Sequence, residues 1–329
     1  MRLRTVSPSQ AMGKLLCHNL SDQAGRKVFR KGHLVQASDV ERLLALGLVE
    51  IYVAELEPGD VHEDEAAARL AIAAAGSGVK LSSATAGRVN LLAAGLGLVR
   101  LNLDTLNQIN VIPGLTIATL RRHTVVSTDT IVATVKVIPF AVPEEVLRWA
   151  EDVCRQSGPV IEVPLLPAVN VGVILTGSEP ARERVCRLLE SPIRSRIEGL
   201  GATISEWTYV PEEPSAIAAA IARLVADGAG LVVLAGETSI MDIDDVTPRG
   251  IRLAGGEIEH YGAPVEPGNL LLLAYRGDVP ILGAPGCIRS REANSVDLLL
   301  PRLLLGERIN SADIVALGEG GLILSGEHG

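Results

Sequence analysis

The sequence predicts an α/β protein: a three-layer, mostly parallel sheet with helices on both faces, preceded by a mixed α+β N-terminal region. Three observations predict it. The chain has 329 residues, about two domains at roughly 150 residues each. Continuous apolar runs, Val171-Gly172-Val173-Ile174-Leu175 and Leu231-Val232-Val233-Leu234, fit strands buried on both faces. Between 168 and 306 such runs alternate with helical segments, the rhythm of a parallel sheet.

In the first half, Val28-Phe29 and Gly32-His33-Leu34-Val35 read as short strands around a turn. Ser38-Asp39 then reads as the cap of a short helix carrying Val40, Leu43, Leu44 and Leu46, closed by Gly47. Residues 49–53 alternate like a strand, and 63–75 form an alanine-rich helix with acids at its start. His62 lacks a second histidine at zincin spacing, so it reads as part of that charged helix start. Leu91, Leu92, Ala93 and Ala94 suggest a helix ending at Gly95–Gly97, and 104–110 another. Residues 117–120 and 131–140 are β-rich, and Pro143 opens a helix over 144–156. Pro159, Pro164 and Pro167 then mark a linker. The expected domains are thus 1–165, divisible near 78, and 168–329.

In the second half, Glu179-Pro180 starts a helix reaching Leu189, 202–210 is the next strand, and 214–226 is a helix. Val246-Thr247-Pro248 leads a helix to Leu253. Residues 270–274 and 279–282 bracket Gly277-Asp278, a hairpin tip. The last helix is expected over 290–305.

Composition excludes several function classes. The net charge is −9, and aromatics are 2% of the chain. Neither a basic nucleic-acid surface nor a base-stacking platform is expected. Mean hydropathy is +0.30, yet the best apolar stretch, 91–99, is far short of the ~20 residues a bilayer requires. No membrane partner is expected, and Met1-Arg2-Leu3-Arg4 has no apolar segment after it, so no secretory signal is expected either. Four dispersed cysteines, Cys17, Cys154, Cys186 and Cys287, read as reduced cytoplasmic thiols.

Ligands of open α/β sheets bind outside the carboxyl ends of the strands. Three loops leave the expected strands there: Thr176-Gly177-Ser178-Glu179, residues 236–245, and residues 283–291. Each joins glycine to hydroxyls, and the first and third are expected to run into helix N-termini, which hold anions. Arg289 and Arg291 add positive charge to the third loop. There is no Walker A loop and no clean Gly-x-Gly-x-x-Gly. Such loops also carry Gly, Ser and Thr for turn and capping reasons alone. The acids Asp242, Asp244 and Asp245 suit a hard cation such as magnesium shared with ligand phosphates. The competing reading is that Asp245 or Thr247 caps the next helix and the other acids are solvated. Cys287 lies in the third loop, where it reads as a small apolar filler.

These residues carry a resemblance. Residues 171–179 resemble the opening strand and Thr-Gly-Asp-Glu loop of the molybdopterin-binding domain of gephyrin-type molybdenum cofactor synthesis proteins. Gly236-Glu237-Thr238-Ser239, with Asp242, Asp244 and Val246-Thr247-Pro248, is similar to that domain's Gly-Gly-x-Ser…Asp…Asp…Thr/Val-Pro segment. Gly283-Ala284-Pro285-Gly286 is similar to its Gly-Leu-Pro-Gly-Asn-Pro loop. Residues 255–273, with Lys31-Gly32-His33-Leu34, 57–61 and 133–143, resemble a subfamily related to cofactor nucleotidyltransferase fusions. The departures are Ser178 for Asp, Glu237 and Met241 for Gly, and Cys287-Ile288 for Asn-Pro.

The resemblance implies a protein that binds molybdopterin or the molybdenum cofactor and acts in cofactor biosynthesis or delivery. The implied cofactor-binding residues are Thr176, Gly177, Ser178, Gly236, Glu237, Thr238, Ser239, Asp245, Pro285, Gly286 and Ser290. Asp242 and Asp244 would be catalytic and would hold magnesium. A catalytic chain would transfer adenylate or molybdate to molybdopterin. The alternatives are a non-catalytic cofactor carrier and a phosphate or nucleotide hydrolase on a related fold. Implied partners are a pterin ligand, a molybdoenzyme or nucleotidyltransferase, and further copies of the chain.

Overall fold

The computed structural model describes residues 1–324. The chain divides into two compact units, one ending at Pro164 and the other beginning at Leu165.

The N-terminal unit holds two principal hydrophobic clusters. The first, around Leu16, Phe29, Leu43 and Val53, gathers β1 (Arg2–Val6), α1 (Ala37–Ala45) and β2 (Ile51–Glu55). β1 pairs antiparallel with β2, which also pairs with Leu15–Leu16. Helix α1 starts earlier than its Ser-Asp pair suggests. Gln36 caps it, and Asp39 answers at the third helical position to close a capping box. Residues 32–35 form no strand; Leu34 makes one isolated bridge to Leu15.

The second cluster takes over from Val61 onward. It packs α2 (Glu63–Ala74), α3 (Leu103–Asn110) and α4 (Glu144–Ser157) against a four-stranded antiparallel sheet. Its strands are β3 (Val79–Leu81), β4 (Arg88–Ala93), β5 (Leu115–Thr119) and β6 (Ile131–Val137), in the order β5-β6-β4-β3. The helix expected at 91–94 is therefore strand β4. Val89, Leu91 and Ala93 are buried while Arg88, Asn90 and Leu92 are not. That period of two faces the core only as a strand.

The C-terminal unit is built on one six-stranded sheet. Its elements are β7 (Asn170–Thr176), α5 (Arg182–Gly199), β8 (Thr203–Val210), α6 (Pro214–Ala226), β9 (Leu231–Gly236), α7 (Val246–Leu253), β10 (Glu257–Tyr261), β11 (Leu272–Arg276), β12 (Val279–Gly283), α8 (Ser295–Leu304) and α9 (Ser311–Val315). The strand order is β8-β7-β9-β12-β11-β10. β8, β7, β9 and β12 run parallel; β11 and β10 complete the sheet antiparallel. Successive side chains of β7 face opposite ways. Val171, Val173 and Leu175 pack with α5 and α8, while Ile174 packs with α6. This is the three-layer α/β architecture that the sequence predicts.

Two helix boundaries depart from expectation. α5 continues ten residues beyond Leu189, through Pro192, to Gly199. Val185, Leu189, Ile193 and Ile197 form one buried stripe across the proline, and burying it outweighs one missing backbone hydrogen bond. α8 starts at Ser295 under an Asn294 cap, because Gly286–Arg289 is a separate 3-10 turn.

In the N-terminal unit, Arg69 of α2 grips Glu144 of α4 through two nitrogens (2.8 and 3.1 Å) and also holds Glu151 (2.9 Å). Arg69, then Arg148, lowers the Glu144 carboxyl from its ordinary 4.5 to about 2. A depressed carboxylate contributes stability that is full above its unfolded value and is lost as pH falls through its folded one. We expect Glu144→Gln to lower stability at pH 7. Its deficit against wild type should shrink as pH falls from 4.5 toward 2 in urea titrations.

Candidate functional site

The parallel strands deliver their exits to one edge. Thr176 at the end of β7 lies opposite Val210 of β8 and Gly236 of β9, and Leu234 of β9 lies opposite Gly283 of β12. The three loops expected to carry chemistry leave here. So does a fourth, Pro211-Glu212-Glu213, between β8 and α6.

The first loop packs on the second through glycine. A Cβ on Gly177 would lie 2.5 Å from the Tyr209 hydroxyl and 3.1 Å from Glu237 Cβ. A Cβ on Gly236 would lie 2.3 Å from Thr176 Oγ1, so the Thr176 side chain is enclosed. The Ser178 N–H and hydroxyl both donate to Glu237 Oε2 (3.1 and 3.0 Å). Arg184, in the first turn of α5, donates to Glu237 Oε1. The Ser178 amide, then its hydroxyl and Arg184, hold the Glu237 carboxyl below the usual carboxylate range. Tyr209 donates its hydroxyl to the Ser178 carbonyl (2.7 Å), with Arg182 5.2 Å from its ring centre.

The second loop satisfies itself in the same manner. The Thr238 N–H and hydroxyl donate to Glu212 Oε1 (3.2 and 2.9 Å). Asp245 caps α7, accepting from the N–H groups of Val246 (2.7 Å) and Met241 (3.1 Å). Asp242 accepts from the Asp244 N–H (2.8 Å), and Asp244, exposed, pairs with Arg252 (3.2 Å). Tyr261 supports the loop through its hydroxyl on the Ile240 carbonyl (3.0 Å). Among the described residues, no group of three or more His, Cys, Asp or Glu is arranged to hold a metal. A magnesium on Asp242 and Asp244 would need oxygens from a ligand to complete its shell.

The third loop begins with the Ala284 N–H on the Leu234 carbonyl (2.8 Å) and buried Pro285. A Cβ on Gly286 would lie 2.6 Å from Ser239 Oγ, so glycine brings the second and third loops into contact. Arg289 donates to the carbonyls of Gly236 (3.3 Å) and Glu237 (2.9 Å). Buried Arg196 of α5 fixes the rest, donating to the carbonyls of Ile288 (3.3 Å), Ser290 (3.0 Å) and Glu292 (2.8 Å). The Ser290 hydroxyl accepts from the Glu292 N–H (3.1 Å). The third loop therefore enters a short 3-10 turn and not the N-terminus of a long helix. Burial pushes the Cys287 thiol up, which disfavours a thiolate nucleophile.

Thr176, Gly177, Ser178, Gly236, Glu237, Thr238, Ser239, Pro285 and Gly286 are thus gathered at one edge. Asp242 and Asp244 make their contacts within the second loop and with α7, and Asp245 is a cap. The sequence reading missed Glu212, Arg184, Tyr209 and Tyr261. Counting every strand exit at the carboxyl edge would have found Glu212. Elsewhere, a cavity of about 530 Å³ in the N-terminal unit is lined by Arg100, Asn102, Asp104, Ser157 and Glu162 among others. Its Asn102 is already engaged with the Thr105 N–H and the Ser157 carbonyl, so the carboxyl edge is the stronger candidate.

Removing the cap with Asp245→Ala should cost ~1 kcal/mol. Asp242→Ala and Asp244→Ala should stay within about 0.5 kcal/mol of wild type. Urea unfolding of the three variants measures the contrast.

Residues 172–304 match the family model described as a probable molybdopterin binding domain, and residues 5–55 match a domain of unknown function. No curated protein matches the chain. Among solved structures, the chain is similar to the protein CinA of unknown function from Thermoplasma acidophilum, at 17% identity over 41% of this chain and 98% of that one, TM-score 0.35. It is similar to the molybdopterin biosynthesis enzyme MoaB from Thermus thermophilus, at 22% identity over 42% of this chain and 96% of that one, TM-score 0.33. It is also similar to the molybdopterin biosynthesis MoeA protein from Pyrococcus horikoshii, at 13% identity over 93% of this chain and 75% of that one, TM-score 0.30. The molybdopterin-binding match thus spans most of the C-terminal unit and all three candidate loops.

Proposed function

We propose that the C-terminal unit binds molybdopterin or the molybdenum cofactor at the carboxyl edge of its sheet, and that the chain acts in molybdenum cofactor biosynthesis or delivery. The observation that carries this reading is the convergence of three glycine-bearing loops within the segment that matches the domain model. The residues fit the ligand unevenly. At the junction of Ser239 and Gly286, small residues and the opening amides of the 3-10 turn suit a phosphate, with Arg289 beside them. At the first two loops, the Ser178 and Thr238 donors already hold carboxylates. When bound, the pterin supplies the dithiolene that carries molybdenum. The chain supplies backbone donors, hydroxyls and aliphatic contact around it, with Tyr209 and Tyr261 as the nearby rings.

Binding and delivery is favoured over catalysis. Asp245 is committed to capping α7, and Asp242 is turned onto the backbone of its own loop. The second reading is a magnesium-dependent transferase of adenylate or molybdate, which the exposure of Asp244 favours. Delivery requires an acceptor, a molybdoenzyme or a nucleotidyltransferase. The four free cysteines suit a reducing compartment, and we place the chain in the cytoplasm, as a homo-oligomer. Among the described residues, no helix is long and apolar enough to cross a membrane.

Anaerobic binding and turnover assays separate the readings. The expected result is molybdopterin retained through a sizing column, with no turnover of magnesium-ATP and unchanged retention in Asp242→Asn. Adenylate transfer abolished by Asp242→Asn would establish the transferase instead. Equal affinity for ATP and molybdopterin would point to nucleotide hydrolysis, and failure to bind pterin would overturn the proposal.

A further inference from the structure

We infer that Glu237 is a built-in competitor of the ligand: its carboxylate occupies the oxyanion position at the exit of β7, and an anionic ligand gains that position only by displacing it. The donors around it are those an oxyanion would take: one backbone amide, one hydroxyl and one guanidinium. The Ser178 N–H and hydroxyl meet Oε2 at 3.1 and 3.0 Å, and Arg184 meets Oε1. The groups come from separate elements 59 and 53 residues away in sequence, so this is no local turn.

The backbone of Glu237 is fixed independently of its side chain. Its N–H donates to the Thr176 carbonyl (2.8 Å), and its carbonyl accepts from Arg289 (2.9 Å). Removing the carboxylate would therefore leave the loop in place and free the donors. Gly177 gives the side chain its room, with 3.1 Å from an added Cβ to Glu237 Cβ. The arrangement repeats one strand over, where Glu212 takes the Thr238 N–H and hydroxyl. A site whose competent state is only fractionally populated binds more weakly by that fraction. Glu237 thereby sets a threshold that selects ligands able to contribute other contacts, as a pterin phosphate can and free phosphate cannot. In that last respect the inference rests on the proposed pterin ligand.

The test is calorimetric titration of inorganic phosphate into the full chain at one ionic strength. Glu237→Gly should bind phosphate about tenfold tighter than wild type. Glu237→Gln, which keeps the shape but not the charge, should fall between. Adding Arg184→Met to Glu237→Gly should abolish the gain. If phosphate binds all folded variants as weakly as wild type, Glu237 is a cap alone and the inference fails. If Glu237→Gly does not fold, absence of any gain in Glu237→Gln overturns it equally. Molybdopterin titrated in parallel separates the two claims. Phosphate gain without pterin binding in any variant sinks the proposed function and spares the competitor. Pterin binding with no phosphate gain does the reverse.

Discussion

The parallel pairing of β7 with β8 on one side and β9 on the other governs the rest of the C-terminal unit. Parallel strands cannot be joined by tight hairpins, so each connection crosses over through a helix. These three strands then end at the same edge, with Thr176, Val210 and Gly236 level with one another. The register of three strands thus decides which loops meet. Because β7 is buried on both faces, a slip of one residue would exchange Ile174 with Val173 and Leu175 between two cores. The edge is held by the energetics of the whole sheet.

What assembles at that edge is a set of backbone donors held by close approach and buried charge. Glycines 177, 236 and 286 let the loops touch where a single methyl would collide with a hydroxyl. Arg196, itself buried, gathers three carbonyls of the loop after β12, and Arg289 gathers two of the loop after β9. The carboxylates Glu237, Glu212 and Asp245 supply the counter-charges. An acidic chain can therefore still gather hydrogen-bond donors and arginines at one edge of its sheet. The acids that give the loops their negative look in sequence are largely partners of its own donors.

The sequence was most legible where burial leaves no choice. Strands β7 and β9, helices α6 and α7 and the β11–β12 hairpin lie where the apolar runs and Gly277-Asp278 put them. It misled where local composition is ambiguous. Leu91-Leu92-Ala93-Ala94 suits a helix as well as a strand, and only pairing with β6 decides it. The helix expected to reach Leu189 runs on through Pro192, because a buried stripe on both sides carries α5 past it. β10 escaped because Glu257-Ile258-Glu259-His260-Tyr261 is a polar edge strand with no alternation to read. At the site, the loops were legible and their internal bonds were not. The pairing of Glu237 with Ser178 and Arg184 joins residues brought together only by the sheet register.

The scarcity of aromatic residues acquires a spatial meaning here. Two of the four tyrosines, Tyr209 and Tyr261, brace the candidate loops through their hydroxyls. Through those bonds both rings position backbone carbonyls of the loops. The account stands or falls on whether a pterin is the natural occupant of this edge. Its most direct measurement is the mass and fluorescence spectrum of the small molecule that co-purifies with the full chain from anaerobic, reducing preparations. The account predicts a molybdopterin-derived species whose oxidised form is fluorescent. Absence of any pterin from every such preparation would contradict it.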